Sequence, residues 1–517
     1  YKDDHILNVF GGMELNGTDR SRSWFNGVGM QYDMGMLSNY DYRYFKQGNE
    51  ENTAYYTVSR TKSREVSFFG TATYSYQGKY TINGTMRYEG SNKLGRSRSA
   101  RWLPTWNVSG AWNMHEESFF ESLRPSLSNF TLKASYSLTA DRGPVNVTNS
   151  LAVIMGYNPW RPLSSVNESG LQITDLENSE LTYEKKHELN IGAEVGFLEN
   201  RINLAVDWYK RNNYDLIGLI NTMGVGGQVS KLANVASMES HGVEFTLSTR
   251  NISTKNFKWT TDFIFSNAKN KVTELKSDAN VMSMISGSGF ALEGNPVRSL
   301  YSLNFQGLNK EGLPTFINEK GELTVTDINF QERENKSHLV YEGSTDPTIT
   351  GSFGNIFSYK GFKLNVFMTY SFGNVIRLDP VFHNAYSDLD ATPREFKNRW
   401  TVAGDEKITT VPVIADLRQN TMNSYLNKAY NAYNYSTERI AKGDFIRMKE
   451  ISVTYEFPKT MVSKLSLSNL SLKIQGTNLF LLYADKKLNG QDPEFFNSGG
   501  VAVPVPKQFT LTLRLGI

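Results

Sequence analysis

The chain has 517 residues, 39% hydrophobic and 21% charged, with a net charge of +3 and a mean hydropathy of −0.44. Charges this nearly balanced, with no Lys/Arg block, argue against nucleic-acid binding; the lack of any apolar run of about 18 residues excludes a helical membrane protein, and the absence of cysteine removes disulfides and thiolate metal sites. Aromatics at 13%, mostly 27 Tyr and 30 Phe, combined with low mean hydropathy suit a membrane β-barrel, whose strands alternate lipid-facing and lumen-facing side chains.

The chain opens at Tyr1 with neither an initiator Met nor a signal peptide, and something is expected to precede it in the gene. Period-2 alternation predicts a first strand over His5 to Glu14. Next comes a hairpin, Val66 to Tyr76 and Tyr80 to Glu89, closed by Gln77-Gly78-Lys79. Strands follow over Pro104 to Asn113 and Phe130 to Thr139, then a pair over His187 to Phe197 and Ile202 to Trp208. Gly242 to Thr249 and Phe257 to Ser266 are next, then Ile349 to Tyr359 and Phe362 to Phe372, which meet at Lys360-Gly361. Phe445 to Phe457, Leu470 to Phe480 and Lys507 to Ile517 complete the set. The last places Phe509, Leu511, Leu513, Leu515 and Ile517 on one face and Thr510, Thr512 and Arg514 on the other.

About fourteen strands result, most near the roughly ten residues that a tilted strand needs to cross a bilayer. Long connections near 15–63, 140–183, 212–239, 267–348, 373–444 and 481–506 fall on one side, and shorter ones on the other. A soluble sandwich has no reason to sort its loops this way, whereas an outer-membrane barrel does. One face of each strand is polar, as in Thr131, Lys133, Ser135 and Ser137 or Glu244, Thr246 and Ser248. The interior is therefore expected to hold water or a polar plug. Trp106, Trp112, Tyr209, Trp259, Tyr359 and Phe480 at strand ends suit interfacial girdles.

No catalytic signature is present: there is no G-x-S-x-G elbow and no H-E-x-x-H. No cofactor or metal site is expected, although Asp485, Asp492 and Glu494, or Asp388 and Asp390, could attract a cation or merely solvate loops. Trp24, Tyr40, Tyr42 and Tyr44, and in another loop Tyr157 and Trp160, offer aromatic faces to a sugar, a peptide or a partner. Loops packing on each other would use the same residues.

Several motifs then bear on family. Tyr76 to Ser91, Arg101 to Asn113 and Glu116 to Phe119, with Leu181 to Lys185, Asn200 to Tyr209 and Ser240 to Phe245, resemble those of SusC/RagA-type TonB-dependent outer-membrane transporters of Bacteroidota. Asp444 to Tyr455, Gly476 to Phe480 and Asp492 to Glu494 continue the resemblance in order along the whole chain, with Glu89 where an Asp is more usual and Ile517 where barrels commonly end in an aromatic. The resemblance implies an all-β fold, a transmembrane antiparallel β-barrel, with residues 1–517 forming the C-terminal part of a 22-stranded barrel. The plug domain and about eight strands would lie outside this chain. It also implies an importer of oligosaccharides or oligopeptides in the cell outer membrane, working with a SusD-like surface lipoprotein, with the TonB complex through the plug-bearing segment, and as a dimer of such pairs. A non-transporting SusC-like scaffold in a larger surface assembly is the alternative.

Overall fold

A computed structural model describes residues 4–25, 42–51, 56–124, 126–143, 151–157, 170–224, 228–276, 279–287, 289–382, 394–414, 421, 425–495, 504 and 506–516. Fourteen strands form one sheet, each hydrogen-bonded to its neighbours in sequence. These wall strands are β1 (His5–Phe25), β2 (Tyr56–Tyr76), β3 (Tyr80–Ser91), β4 (Trp102–Asn113), β5 (Leu127–Asp141), β6 (Glu184–Phe197) and β7 (Ile202–Asn221). The second half comprises β8 (Ser230–Ser253), β9 (Phe257–Leu275), β10 (Ile349–Tyr359), β11 (Phe362–Phe372), β12 (Phe445–Glu456), β13 (Asn469–Ala484) and β14 (Gln508–Gly516).

Every predicted strand coincides with one of these, the predicted Phe445 to Phe457 and Lys507 to Ile517 overrunning theirs by a residue at one or both ends, and every wall pairing is antiparallel. The hairpin turns follow from local chemistry. Lys360 and Gly361 both take positive φ (44° and 88°) between the paired Tyr359 and Phe362, the two-residue turn whose twist matches that of the strands. At the β6–β7 turn three successive non-glycine residues, Leu198, Glu199 and Asn200, take φ of 51°, 56° and 58°; the Asn200 amide N–H donates to Ser128 Oγ at 2.9 Å, tying the turn to β5.

Strand pairing extends beyond the expected bounds. β1 and β2 pair from His5↔Tyr76 to Phe25↔Tyr56, β7 and β8 out to Asn221↔Ser230, and β9 reaches Leu275. The loops expected near 15–63, 212–239 and 267–348 are correspondingly shorter. Past the lipid both faces meet water, so the hydrophobic alternation fades while the backbone ladder continues.

One face of the sheet is apolar from strand to strand. Val195, Leu204, Leu247, Phe263, Phe353, Met368, Met448 and Phe480 are successive cross-strand partners. The adjacent row on the other face reads Gly196, Asn203, Ser248, Asp262, Gly354, Phe367, Glu450 and Thr477. A wall one strand thick has no core of its own. The largest buried cluster lies instead in two connections at the long-loop rim, 276–348 and 373–444, and includes Val281, Ile285, Leu303, Phe316, Val381, Phe396 and Tyr433. These connections form one folded unit. Short ladders pair Ser299–Leu303 with Leu339–Ser344 and Val375–Arg377 with Ile440–Lys442, and a parallel bridge joins Leu303 to Ser436. The buried Asn434 amide ties helix Leu426–Asn434 to the chain at Val381 and Phe382, accepting their N–H groups at 3.0 and 3.2 Å and donating to Phe382 O at 2.9 Å.

Candidate functional site: the polar face of the wall

Alternation places ionisable side chains of both signs on the polar face. On β6 to β9 the face carries Glu194, Asp207, Glu244 and Asp262 together with Arg211, Arg250 and Lys258. Glu194 pairs with Lys133 and Asp262 accepts a hydrogen bond from Ser248 Oγ at 2.7 Å. On β11 to β14 the face carries Lys363, Lys449, Lys473 and Arg514 with Glu450 and Glu456. Glu450 lies 3.6 Å from Lys473, while Lys363, Lys449 and Arg514 pair with no carboxylate among the described residues.

Lys449 owes its position to a β-bulge. Its neighbours Met448 and Glu450 oppose the consecutive residues Met368 and Phe367 on β11, and on β13 the register also shifts between them. Bulges redirect side chains, and here the bulge sends both Lys449 and Glu450 to the polar side. Two residues earlier, the Arg447 side chain is only 6% exposed and bridges Asp492 and Glu494, the latter at 3.0 Å. These two acids, read from sequence as possible cation ligands, instead anchor the last connection to the wall. Asp485 likewise accepts the backbone N–H groups of Lys442 and Lys487 at 2.8 and 2.9 Å. Asp388 and Asp390 lie outside the described residues. Among the described residues no three His, Asp or Glu side chains gather as a metal site.

Two cavities open on the polar face at β11 and β12. The upper, about 610 Å³, lies beneath the folded loop unit and is lined by Lys449, Thr350, Thr369, Ser371, Arg298 and Asn374, among others. The lower, about 320 Å³, lies nearer the short-turn rim, where Lys363, Lys473, Arg514, Asn365, Thr454 and Glu456 face it. The same strands, β11 and β12, contribute to both.

Above the wall, buried ionic contacts stiffen the loop unit. Arg439, whose side chain is 2% exposed, pairs with Glu395 and donates to Asp379 O at 2.6 Å. Burial pushes the Arg377 guanidinium down to about 10 and holds the Glu342 carboxyl above its usual range. Burial likewise lowers His338, against the opposing pull of Glu319 and Glu332.

Of the aromatic candidates, Trp24 is 50% exposed near the far end of β1, and Tyr42 is 72% exposed at the start of helix Tyr42–Glu50, which includes Tyr44. Tyr157 ends the short strand Val153–Tyr157; Tyr40 and Trp160 lie outside the described residues. Tyr209 is not a girdle residue: it opposes Gly242 on the polar face, is 5% exposed, and has Arg211 over its ring at 3.9 Å. A Cβ on Gly242 would meet the Tyr209 hydroxyl at 2.5 Å, so the glycine makes room for the ring. Its predecessor Trp208 takes the apolar side, opposite Val243. Trp106, Trp112, Trp259, Tyr359 and Phe480 lie on the apolar face, with Trp112 stacked on Tyr80 and Trp259 on Phe357. Lys363, Lys449 and Lys473 escaped sequence reasoning as a group, because only the register and the bulge bring them to one sector.

An antiparallel meander with one apolar face, one polar face, short turns at one rim and folded connections at the other defines the wall of an outer-membrane-type β-barrel. Residues 2–379 match the family model described as TonB dependent receptor-like, beta-barrel, and the chain belongs to that family. TonB-dependent receptor P3 of Formosa agariphila is 26% identical over 445 residues, covering 83% of this chain and 42% of the relative. TonB-dependent receptor SusC of Bacteroides thetaiotaomicron is 23% identical over 495 residues, covering 90% and 44%. The solved structure of the RagAB peptide transporter superposes with a TM-score of 0.76 at 21% identity, covering all of this chain and 54% of that one. The chain thus spans less than half the length of the curated relatives it matches. The resemblance to SusC/RagA-type receptors of Bacteroidota holds at the level of family and fold, and with it the outer-membrane location.

Proposed function

We propose that this chain is the wall of a SusC-like importer that carries oligosaccharides or oligopeptides across the outer membrane, with a SusD-like lipoprotein closing over the long-loop rim. The observation that carries the reading is the combination of a two-faced wall with a folded unit built on its outer rim. Such a wall separates lipid from a polar interior, and a rigid rim offers a partner a preformed surface. RagAB, whose fold the chain shares, is described as a peptide importer.

β1 and β14 each pair on one side only, and nearly every residue of both is exposed. Unpaired backbone groups in lipid cost several kcal/mol each, so in this reading further strands close the wall between them. A plug inside the closed barrel would couple transport to the TonB complex, and the polar face would line the path around it. Pairs of barrel and lipoprotein would associate as dimers.

The test is purification from native outer membranes in mild detergent, with uptake measured in cells with and without TonB. The reading requires a co-purifying surface lipoprotein and TonB-dependent uptake of an oligomer too large for porins. Recovery of a plug-free barrel with no lipoprotein and no TonB-dependent uptake would instead make it a scaffold.

A further inference from the structure

We propose that the outward face of β7, β8 and β9, at the level where the wall leaves the lipid, binds the phosphorylated sugar headgroup of an outer-leaflet glycolipid, with Lys210, His241, Lys269 and Lys271 as its contacts. This rests on the outer-membrane location and not on what passes through the barrel.

The first argument is the register. Trp208, Val243 and Asn267 stand opposite one another on the lipid side. Two residues further along each strand, on the same face, the next row is Lys210, His241 and Lys269, and the one after it is Asn212, Glu239 and Lys271. Lys269 stands about 7 Å from Lys271 along β9 and about 10 Å from Lys210 across two strand spacings, and like charges placed this way repel. Lys210, His241, Lys269 and Lys271 are all exposed, and among the described residues none is paired with a carboxylate. Glu239 is the one acid within these rows. A bound anion removes the repulsion.

The second argument is depth. Phe257, Trp259, Phe263 and Phe265 carry the apolar face of β9 up from the short-turn rim. Lys269 lies twelve residues beyond Phe257, roughly 40 Å of strand at ~3.3 Å per residue and about 28 Å of height at a tilt near 45°, against an apolar band ~25 Å tall. The basic row therefore stands at headgroup level on the long-loop side, which in an outer membrane faces out of the cell. The lipid of that leaflet is a phosphorylated glycolipid, and the row below Trp208 and Val243, made of Val206, Phe245 and Phe265, offers its acyl chains an apolar bed.

The third argument is extent. The cations span about 10 Å across the strands, and with Asn212 and Asn267 the patch runs about 13 Å along them. That is too broad for one phosphate and suits a phosphorylated disaccharide, whose hydroxyls need groups that both donate and accept, as the two amides do. Lysine ammonium groups on flexible stems can close on a phosphate from two strands. The patch is also bounded. On the β6 side His187 stacks between Tyr136 and Tyr214, and Lys185 is held by Asp215 at 2.6 Å. On β10, β11 and β12 the outward positions at this rim are Ile349, Phe372 and Ile446. β2 turns Arg60, Lys62 and Arg64 outward, but Lys62 stands 3.5 Å from Asp19, Arg64 donates to Thr18 O and Ser63 O at 3.3 and 2.9 Å, and β1 adds no cation on that face.

The experiment is native mass spectrometry of the intact outer-membrane protein in neutral detergent, titrated with phosphorylated lipid A, the same lipid A after phosphatase treatment, and phosphatidylglycerol. It compares the wild type, Lys210→Gln/Lys269→Gln and, as an equal charge loss on the same rim, Arg60→Gln/Arg64→Gln. Phosphorylated lipid A is expected to bind the wild type about tenfold more tightly than either other lipid and to lose about tenfold in the lysine variant; the arginine variant should stay within about twofold of the wild type. Phosphatase-treated lipid A should bind all three proteins alike, which shows that the variants are folded. Equal binding of the two forms of lipid A, a lysine variant that binds as the wild type does, or equal losses in the two variants overturns the site. Phosphatidylglycerol bound as tightly and with the same lysine dependence overturns the glycolipid assignment. A second protein retained by the wild type and lost with the lysines, while lipid A binding is unchanged, overturns the proposal in favour of a protein contact.

Discussion

Replacing Leu247 by Arg places a guanidinium in lipid, whereas the same change at the next residue, Ser248, places it in the lumen facing Asp262. Leu247 lies about six residues from the end of β8 at Ser253, roughly 20 Å along the strand at ~3.3 Å per residue; a tilt near 45° makes this about 14 Å of depth, close to the middle of an apolar band ~25–30 Å tall. At that depth an Arg on the lipid face costs about 2–4 kcal/mol, or roughly 30- to 900-fold in the folding equilibrium. Ser248→Arg meets water and the Asp262 carboxylate and should shift stability by less than about 0.5 kcal/mol. Urea titration of the intact protein in phospholipid vesicles, read by protease resistance, measures both. Equal losses at the two positions, or a larger loss at Ser248, would refute the assignment of faces.

Three other outcomes are expected. Phe316→Ala removes a fully buried ring that packs on Phe305 at 5.9 Å, costing about 3–5 kcal/mol; hydrogen exchange should show lost protection in 279–347 and 375–442 while wall amides keep theirs, and a uniform loss across the wall would show that the loop unit does not fold as a separate layer. Glu395→Ala strands the buried Arg439 at a cost of about 3–5 kcal/mol, which Glu395→Ala/Arg439→Met should largely recover; a double variant no better than the single one would contradict this account of the pair. Because burial lowers His338 from 6.5, the unfolded chain binds its proton first, so the loop unit loses stability as pH falls below about 6.5 and stops losing it below the folded value; melting at pH 7.5 and 5 should show a drop that is smaller in His338→Gln, and identical drops in both proteins would exclude His338 as the cause.

The amino-acid order alone specified the fourteen wall strands, their faces and the sorting of long and short connections. Strands such as Tyr80–Ser91 alternate because one side meets lipid and the other water, and a period of two needs no distant partner to be read. The family resemblance was legible for a related cause. Arg447 with Asp492 and Glu494, which lie within two of the motifs that carried the resemblance, is a specific ion-pair set joining β12 to the last connection. Folding in three dimensions was needed for everything that depends on register or on contacts between distant segments. Tyr209 looked like a girdle residue until Gly242 was found to make room for it on the polar side. The core shared by Phe316, Phe382 and Tyr433 joins two connections separated by two wall strands and the turn between them, and no local pattern marks those residues as neighbours. Lys449 sits one residue from Glu450 in sequence, and simple alternation would have sent the two to opposite faces. The unpaired residue of the bulge places both on one side, because an inserted residue resets the pleat for every position that follows it.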